Sequence, residues 1–262
     1  MLVRRLKPTV TISIVPPALS GDSGLFWCAV TAIVPAAGAG RRFGGDVPKQ
    51  YQALLGQPML GITLDALLGH PGIDGVMVAL AVDDTHWPGW RERHGKPVLT
   101  CVGGGERAES VLAALQALPA TVTDDDHVLV HDAARPCLDP DDLQRLLEAG
   151  RAHPVGAILG APVRDTLKRV GSAERIFGTE PREGLWRAFT PQMFRRGGLT
   201  RALSAALGAG CAVTDEASAM ERLGLKQLIV EGREDNLKVT TTADLALAEF
   251  VLSKRSRRSV PG

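Results

Sequence analysis

The sequence predicts a three-layer α/β domain built on a mostly parallel sheet. Short apolar runs alternate along the chain with segments of helical period, the pattern of a parallel sheet covered by helices. Several runs end in glycine or aspartate, and sheets of this kind bind ligands beyond the carboxyl ends of their strands. No internal repeat or long linker interrupts the alternation.

The first run, Ala29, Val30, Ala32, Ile33 and Val34, reads as a buried strand that empties after Pro35 into a loop of small residues. Residues 75–82 and 97–102 are two more apolar, β-rich runs, the second ending at Gly103-Gly104-Gly105. A helix over 107–118 follows, with Val111, Leu112, Leu115 and Leu118 on one face. A short strand at 127–131 stops at Asp132. The next helix opens with Asp139 as its cap, Pro140 in the first turn, and Asp141 and Asp142 facing the dipole. It buries Leu143, Leu146 and Leu147. Residues 155–161 form a further strand, and Thr241 with Asp244 marks a capping box for a last helix over 243–253. The strand exits at Pro35, Gly103 and Asp132 are expected to line one crevice.

Composition excludes several classes. The chain has 262 residues, 45% hydrophobic and 23% charged, which is globular and long enough for a full core. Lys plus Arg number 30 against 29 acids, so no global field attracts nucleic acid or membrane. Cys28, Cys101, Cys137 and Cys211 lie far apart without a Cys-x-x-Cys pair, which favours reduced thiols in a cytoplasmic protein. Residues 1–27 read as an N-terminal extension outside the domain. Their apolar patch at 10–15 is too short to cross a bilayer and is followed by Pro16-Pro17. Residues 255–262, after Lys254, read as a solvated basic tail.

Residues 32–49, Ala-Ile-Val-Pro-Ala-Ala-Gly-Ala-Gly-Arg-Arg-Phe-Gly-Gly-Asp-Val-Pro-Lys, are the most informative segment. Gly38 and Gly40 let backbone N–H groups approach a ligand closely. Arg41, Arg42 and Lys49 supply positive charge where a polyphosphate carries negative charge. The dinucleotide fingerprint fails, because Phe43 stands where its third glycine belongs and Asp65 sits within a helical pattern. The P-loop fails too, since Gly45 leads into Asp46-Val47 and not Lys-Ser/Thr. The segment resembles the signature loop of nucleotidyltransferases.

Val128-Leu129-Val130-His131-Asp132-Ala133-Ala134-Arg135-Pro136 is the second informative segment. A strand-end carboxylate facing a polyphosphate loop repels the ligand unless a cation intervenes. Mg²⁺ on oxygen ligands answers that need, which makes Asp132 a candidate metal ligand. Alone, such an aspartate would more often cap a helix or pair with Arg135.

His-Asp-Ala-Ala-Arg-Pro at 131–136 resembles the second signature of the 2-C-methyl-D-erythritol 4-phosphate cytidylyltransferase family. So do Gly103-Gly104-Gly105-Glu106-Arg107-Ala108-Glu109-Ser110 and Ala161-Pro162-Val163-Arg164-Asp165-Thr166. The similarity continues in order through Gly184-Leu185-Trp186, Thr190-Pro191-Gln192, Thr214-Asp215-Glu216-Ala217 and Asp235-Asn236-Leu237-Lys238-Val239-Thr240, so that residues 28–254 read as one cytidylyltransferase domain. The resemblance implies a Rossmann-like nucleotidyltransferase fold. It also implies CMP transfer from CTP to methylerythritol phosphate, with release of pyrophosphate, in the non-mevalonate isoprenoid route. A ribitol-phosphate or other alcohol-phosphate cytidylyltransferase is the alternative, and Arg164-Asp165-Thr166 with Ala133-Ala134 leans against it.

The resemblance also implies roles. Arg42 and Lys49 would stabilise charge developing at the α-phosphate. Ala36, Ala37, Gly38, Gly104, Gly105 and Ser110 would hold the cytosine side of the nucleotide, mostly through backbone atoms. Gly105 stands where some relatives carry an acid, which a main-chain contact survives. Asp132 and Ala133 would lie near the ribose, Asp132 also holding Mg²⁺ or another divalent cation, with Asp235 and Asn236 as further candidates to assist it. Arg135, Thr166, Arg182 and Lys238 would position methylerythritol phosphate, Thr166 and Arg182 from a neighbouring subunit. The polar segment at about 162–187 departs from the alternation. About 25 residues without a core of their own are usually functional, and in the resembled family this is an extended β arm that embraces the partner of a homodimer.

Overall fold

The apolar run before the glycine loop forms the central strand, β1 (Val30–Pro35). Val30, Ala32 and Val34 are buried against one layer of helices and Ile33 against the other. Burial on both faces explains why the run lacks polar alternation. The computed structural model describes residues 30–38 and 47–258. The expected extension at 1–27, and Arg41 and Arg42 of the glycine loop, lie outside the described residues.

After the loop, a single 3-10 turn (Lys49–Tyr51) leads through the short strands β2 (Ala53–Leu54) and β3 (Gln57–Pro58) into helix α1 (Met59–Leu68). Strands β4 (Ile73–Leu80), β5 (Glu92–Arg93) and β6 (Lys96–Val102) precede α2 (Arg107–Ala117). Then come β7 (His127–Val130), α3 (Pro140–Ala152) and β8 (Gly156–Pro162). The chain continues through β9 (Leu167–Val170), β10 (Ile176–Glu180), β11 (Trp186–Arg195), α4 (Arg196–Gly208), α5 (Glu216–Arg222), β12 (Leu228–Glu231) and α6 (Thr242–Arg258).

The main sheet has the order β12-β8-β11-β7-β1-β4-β6-β5. β1 pairs in parallel with β4 on one side and β7 on the other, and β4 pairs in parallel with β6. Strand order therefore reverses at β1, and a crevice opens at its carboxyl end. The sheet is mixed because β11 runs antiparallel between β7 and β8 and the edge strand β5 runs antiparallel to β6. Leu60, Leu64, Leu67, Leu143, Leu146 and Leu147 of α1 and α3 pack on one face, and Val111, Leu115, Leu199 and Leu203 of α2 and α4 on the other. These are the three layers expected.

Local sequence signals explain the helix starts. The Asp139 carboxylate accepts from the Asp141 N–H at 3.1 Å, with Pro140 as the first helical residue of α3. At α6 the Asp244 carboxylate accepts from the Thr241 N–H at 2.8 Å, and the Asp244 N–H donates to the Thr241 hydroxyl at 3.2 Å. The capping box is thus formed, but α6 runs beyond the expected 243–253. Arg255 is not part of a solvated tail. Its guanidinium donates to the Cys137 carbonyl at 3.0 Å and to Asp235 at 2.8 Å, which docks the end of the helix onto the domain.

The segment expected to be an arm is a hairpin. β9 and β10 pair antiparallel in a sheet of their own, and Ile176 and Phe177 are 64% and 76% exposed. Among the described residues no helix is long and apolar enough to cross a membrane.

Candidate active site

Three strand exits meet in one cavity at the carboxyl end of β1. The Ala36 N–H donates to the Ala79 carbonyl at 2.8 Å, and the Gln50 side-chain amide donates to the Ala36 carbonyl at 2.7 Å. Gln50 thereby ties the β1 exit to the turn that carries Lys49. At the β6 exit the Gly104 N–H donates to Ser110 Oγ at 3.1 Å, and that hydroxyl in turn donates to the Glu106 carbonyl at 3.0 Å. A Cβ on Gly103 would lie 2.8 Å from the Ala37 Cβ, and one on Gly104 would lie 2.3 Å from the Glu109 Cβ. Glycine at 103 lets the two loops close on each other, and glycine at 104 lets the second loop pack against the start of α2. The His131 N–H donates to the Ile33 carbonyl at 2.9 Å and delivers Asp132 beside them.

Most of the expected site residues are brought together. Ala36, Ala37, Gly38, Lys49, Gly104, Gly105, Ser110, Asp132, Ala133 and Lys238 all line this cavity. Arg135 lines an adjoining concavity, with Phe189, Thr190 and Gln192, that shares Arg107, Asp132 and Lys238 with the first. Thr166 and Arg182 are not brought to either. Both are exposed near the hairpin, where the Arg182 guanidinium donates to the Arg164 carbonyl. Arg42 lies outside the described residues.

Asp132 is the electrostatic centre. Its Oδ1 accepts from Arg107 Nε at 2.8 Å, and its Oδ2 meets Lys238 Nζ at 2.9 Å and Arg135 Nε at 3.4 Å. Burial alone would raise its pKa, but Arg107, Lys238 and Arg135 hold the carboxyl far below the usual carboxylate range. It stays ionised at any physiological pH.

The family model for 2-C-methyl-D-erythritol 4-phosphate cytidylyltransferase matches residues 30–254. The chain belongs to this family. A protein of that name from Stenotrophomonas maltophilia (strain R551-3) is 65% identical over 228 residues, 87% of this chain and 98% of its own length. One from Xanthomonas campestris pv. campestris (strain 8004) is also 65% identical, over 87% of this chain and 86% of its own length. Among solved structures, the Francisella tularensis 2-C-methyl-D-erythritol 4-phosphate cytidylyltransferase superposes with a TM-score of 0.72 at 35% identity, over 85% of this chain and 99% of that one. The Thermus thermophilus protein of the same name gives 0.69 at 31% identity, over 86% and 99%. Membership makes the chain a nucleotidyltransferase and favours the methylerythritol reading over the ribitol alternative.

In this cytidylyltransferase a neutral histidine shapes the Asp132 loop. His131 is fully buried; its Nε2–H donates to the Arg135 carbonyl at 3.0 Å. Its Nδ1 accepts from the Thr190 hydroxyl at 3.1 Å, which itself accepts from the Asp132 N–H at 3.0 Å. Burial pushes the His131 pKa down to about 4. Between that value and the ordinary 6.5 the unfolded chain binds a proton that the folded chain refuses. The contribution of His131 to stability is therefore complete above about pH 6.5 and is lost as pH falls toward 4, by on the order of 3 kcal/mol. Urea titrations at pH 7.5, 5.5 and 4.5 should show this slope, flattened in His131→Asn. An equal slope in the variant would assign it to other groups.

Nothing in the sequence singles out Arg107 or Glu216 as individual residues. Both belong to quoted family motifs, but a lone arginine at a helix start and a glutamate 109 positions later carry no visible link. The structure joins them: Arg107 Nη1 and Nη2 donate to the two oxygens of the fully buried Glu216 at 2.6 and 3.0 Å. Asp235 and Asn236 line neither concavity. Asp235 pairs with Arg233 and Arg255, both at 2.8 Å, and the Asn236 amide donates to the Thr190 carbonyl at 2.9 Å. Among the described residues no three His, Cys, Asp or Glu side chains converge into a metal cage. Asp132 is the buried carboxylate of the cavity and the residue that could hold a divalent cation, which would share it with Arg107, Lys238 and Arg135.

Proposed function

We propose that this chain transfers CMP from CTP to 2-C-methyl-D-erythritol 4-phosphate, giving 4-diphosphocytidyl-2-C-methyl-D-erythritol and pyrophosphate, in the non-mevalonate route to isoprenoid precursors. The observation that carries the reading is the convergence of Pro35, Ala36, Ala37 and Gly38 at the start of the glycine loop, Gly104-Gly105 and Asp132 on one cavity with Lys49 and Lys238 in its wall. A phosphate oxygen of the acceptor attacks the α-phosphorus of CTP in line, and the bond to the bridging oxygen of pyrophosphate breaks. The acceptor is already a nucleophile, so no covalent intermediate or general base is needed. The barrier is the approach of two polyanions, and positioning with electrostatic stabilisation lowers it.

In this proposal the backbone at Ala36, Ala37, Gly38, Gly104 and Gly105 receives the nucleotide, with Ser110 fixing the second loop. Asp132 and Ala133 face the ribose. Lys49 and Arg42 stabilise the charge of the transferring phosphoryl group. Arg135 and Lys238, in the wall shared by the two concavities, orient the acceptor phosphate. A bound Mg²⁺, or another divalent cation, held by Asp132 with the substrate phosphates would neutralise phosphate charge. The chain acts as a homodimer in which Thr166 and Arg182 serve the neighbouring site. The exposed apolar hairpin supports that assembly. Cys101, Cys137 and Cys211 are unpaired thiols, in keeping with a reducing cytoplasm.

Pyrophosphate release is the test. Turnover is expected with CTP, methylerythritol phosphate and a divalent ion together, with little from ribitol phosphate and none in EDTA. Equal rates with both acceptors would point to another alcohol phosphate, and full activity in EDTA would remove the metal from the scheme.

A further inference from the structure

Arg107 and Glu216 meet at the wall between the two concavities, yet Glu216 lines neither of them. Its backbone is held firmly. The Ala217 N–H donates to the Gln192 side-chain carbonyl at 2.8 Å, and the Gln192 amide donates to Asp215 at 2.9 Å. Asp215 in turn caps α5 by accepting from the Ser218 N–H at 2.9 Å. On this anchored carboxylate the guanidinium of Arg107 lies with two parallel N–H···O bonds, a geometry that fixes its plane as well as its position. The remaining Nε–H is thereby aimed, and it donates to Asp132 Oδ1 at 2.8 Å. One carboxylate oxygen is fully engaged, while Oδ2 turns toward Arg135 and Lys238.

Stability alone does not account for the arrangement, because well-packed apolar side chains commonly hold such a site as well as or better than a buried ion pair. The charges do something apolar groups cannot. Glu216 cancels the charge of Arg107, so Asp132 is oriented without adding net positive charge beside it.

We propose that the Arg107–Glu216 pair is the positioning device for Asp132 in the transfer reaction, with Glu216 acting through Arg107 to fix which carboxylate oxygen faces the substrates. This rests on the cytidylyl-transfer reading given above. Glu216 is a positioning residue and touches no substrate.

The test compares wild type with Glu216→Gln, Glu216→Asp and the double variant Arg107→Gln/Glu216→Gln. The readouts are melting temperature, CTP affinity by calorimetry, and kcat and KM for each substrate. Loss of an outer partner of a functional ligand typically costs about 10- to 100-fold. Folded Glu216→Gln should lose kcat in that range while CTP affinity changes less than about threefold, and Glu216→Asp should recover part of the loss. The double variant leaves no charge of the pair unpaired and should be at least as slow; it decides the matter if the single variant fails to fold. Wild-type kcat per folded site in either one overturns the proposal, as does a melting-temperature loss with kcat untouched. A wild-type enzyme that releases no pyrophosphate would instead sink the functional reading.

Discussion

Replacing Lys49 by alanine is expected to lower kcat about 10²- to 10³-fold while CTP affinity changes far less. Lys49 lines the cavity, and in the proposed reaction charge builds there on the transferring phosphoryl group. Charge matched to the transition state more than to the ground state accelerates the step without tightening the resting complex. The turn itself is held by its other residues. Gln50 anchors the Lys49–Tyr51 segment on the Ala36 carbonyl, and the Tyr51 hydroxyl donates to Asp84 at 2.7 Å. The Tyr51 ring stacks on His86 with centroids 5.5 Å apart. Melting temperature, measured alongside, separates a loss of catalysis from a loss of fold. Arg42→Ala is expected to behave alike. A raised KM with kcat unchanged would reduce both residues to ground-state binding.

Mixing two inactive chains should restore activity. Lys49 lines the cavity of the chain that carries it, whereas Arg182 lies out by the hairpin, with its guanidinium on the Arg164 carbonyl and no place in either concavity. If Arg182 serves the neighbouring site, a hybrid of Lys49→Ala and Arg182→Ala chains holds one doubly damaged site and one intact site. Random pairing of equal amounts makes about half the dimers hybrid, so roughly a quarter of all sites recover. Turnover per site after co-refolding is the measurement. A mixture that demonstrably contains hybrids but stays at the level of the separate mutants would place Arg182 in its own subunit's site.

Sequence reasoning worked best where one physical cause dominates a local stretch. The runs at Val30–Pro35 and His127–Val130 are apolar because both faces are covered, and the residues at their exits are small or acidic because a ligand crevice opens there. Asp139 and Asp244 announce helix starts because capping acts within three or four residues. Contacts between distant segments left no such trace. β11 mixes Thr190, Pro191 and Gln192 into its run, for their side chains and backbone serve the site as much as the core, so its antiparallel insertion was not foreseen. Arg255 read as solvent-facing because its partners, Asp235 and the Cys137 carbonyl, are brought to it only by folding. The link from Asp132 through Arg107 to Glu216 was hidden for the same reason: Asp132 stands out at its strand end, but Arg107 and Glu216 look like ordinary surface charges.

Strand β11 carries a consequence for anyone who would re-engineer this enzyme. Its first residues pair with the end of β8 at the root of the hairpin, its middle presents the Thr190 hydroxyl to His131 and to the Asp132 N–H, and its last residues pair with β7. Hairpin and reaction centre are thus stretches of one continuous beam. Shortening the hairpin, exchanging it with that of a relative, or fusing a second domain there would load the same strand that sets the pitch of the Asp132 loop. A chimaera should be cut within the tip between Val170 and Ile176, where two antiparallel segments close on themselves and the strain of a poor join is not transmitted down to Thr190.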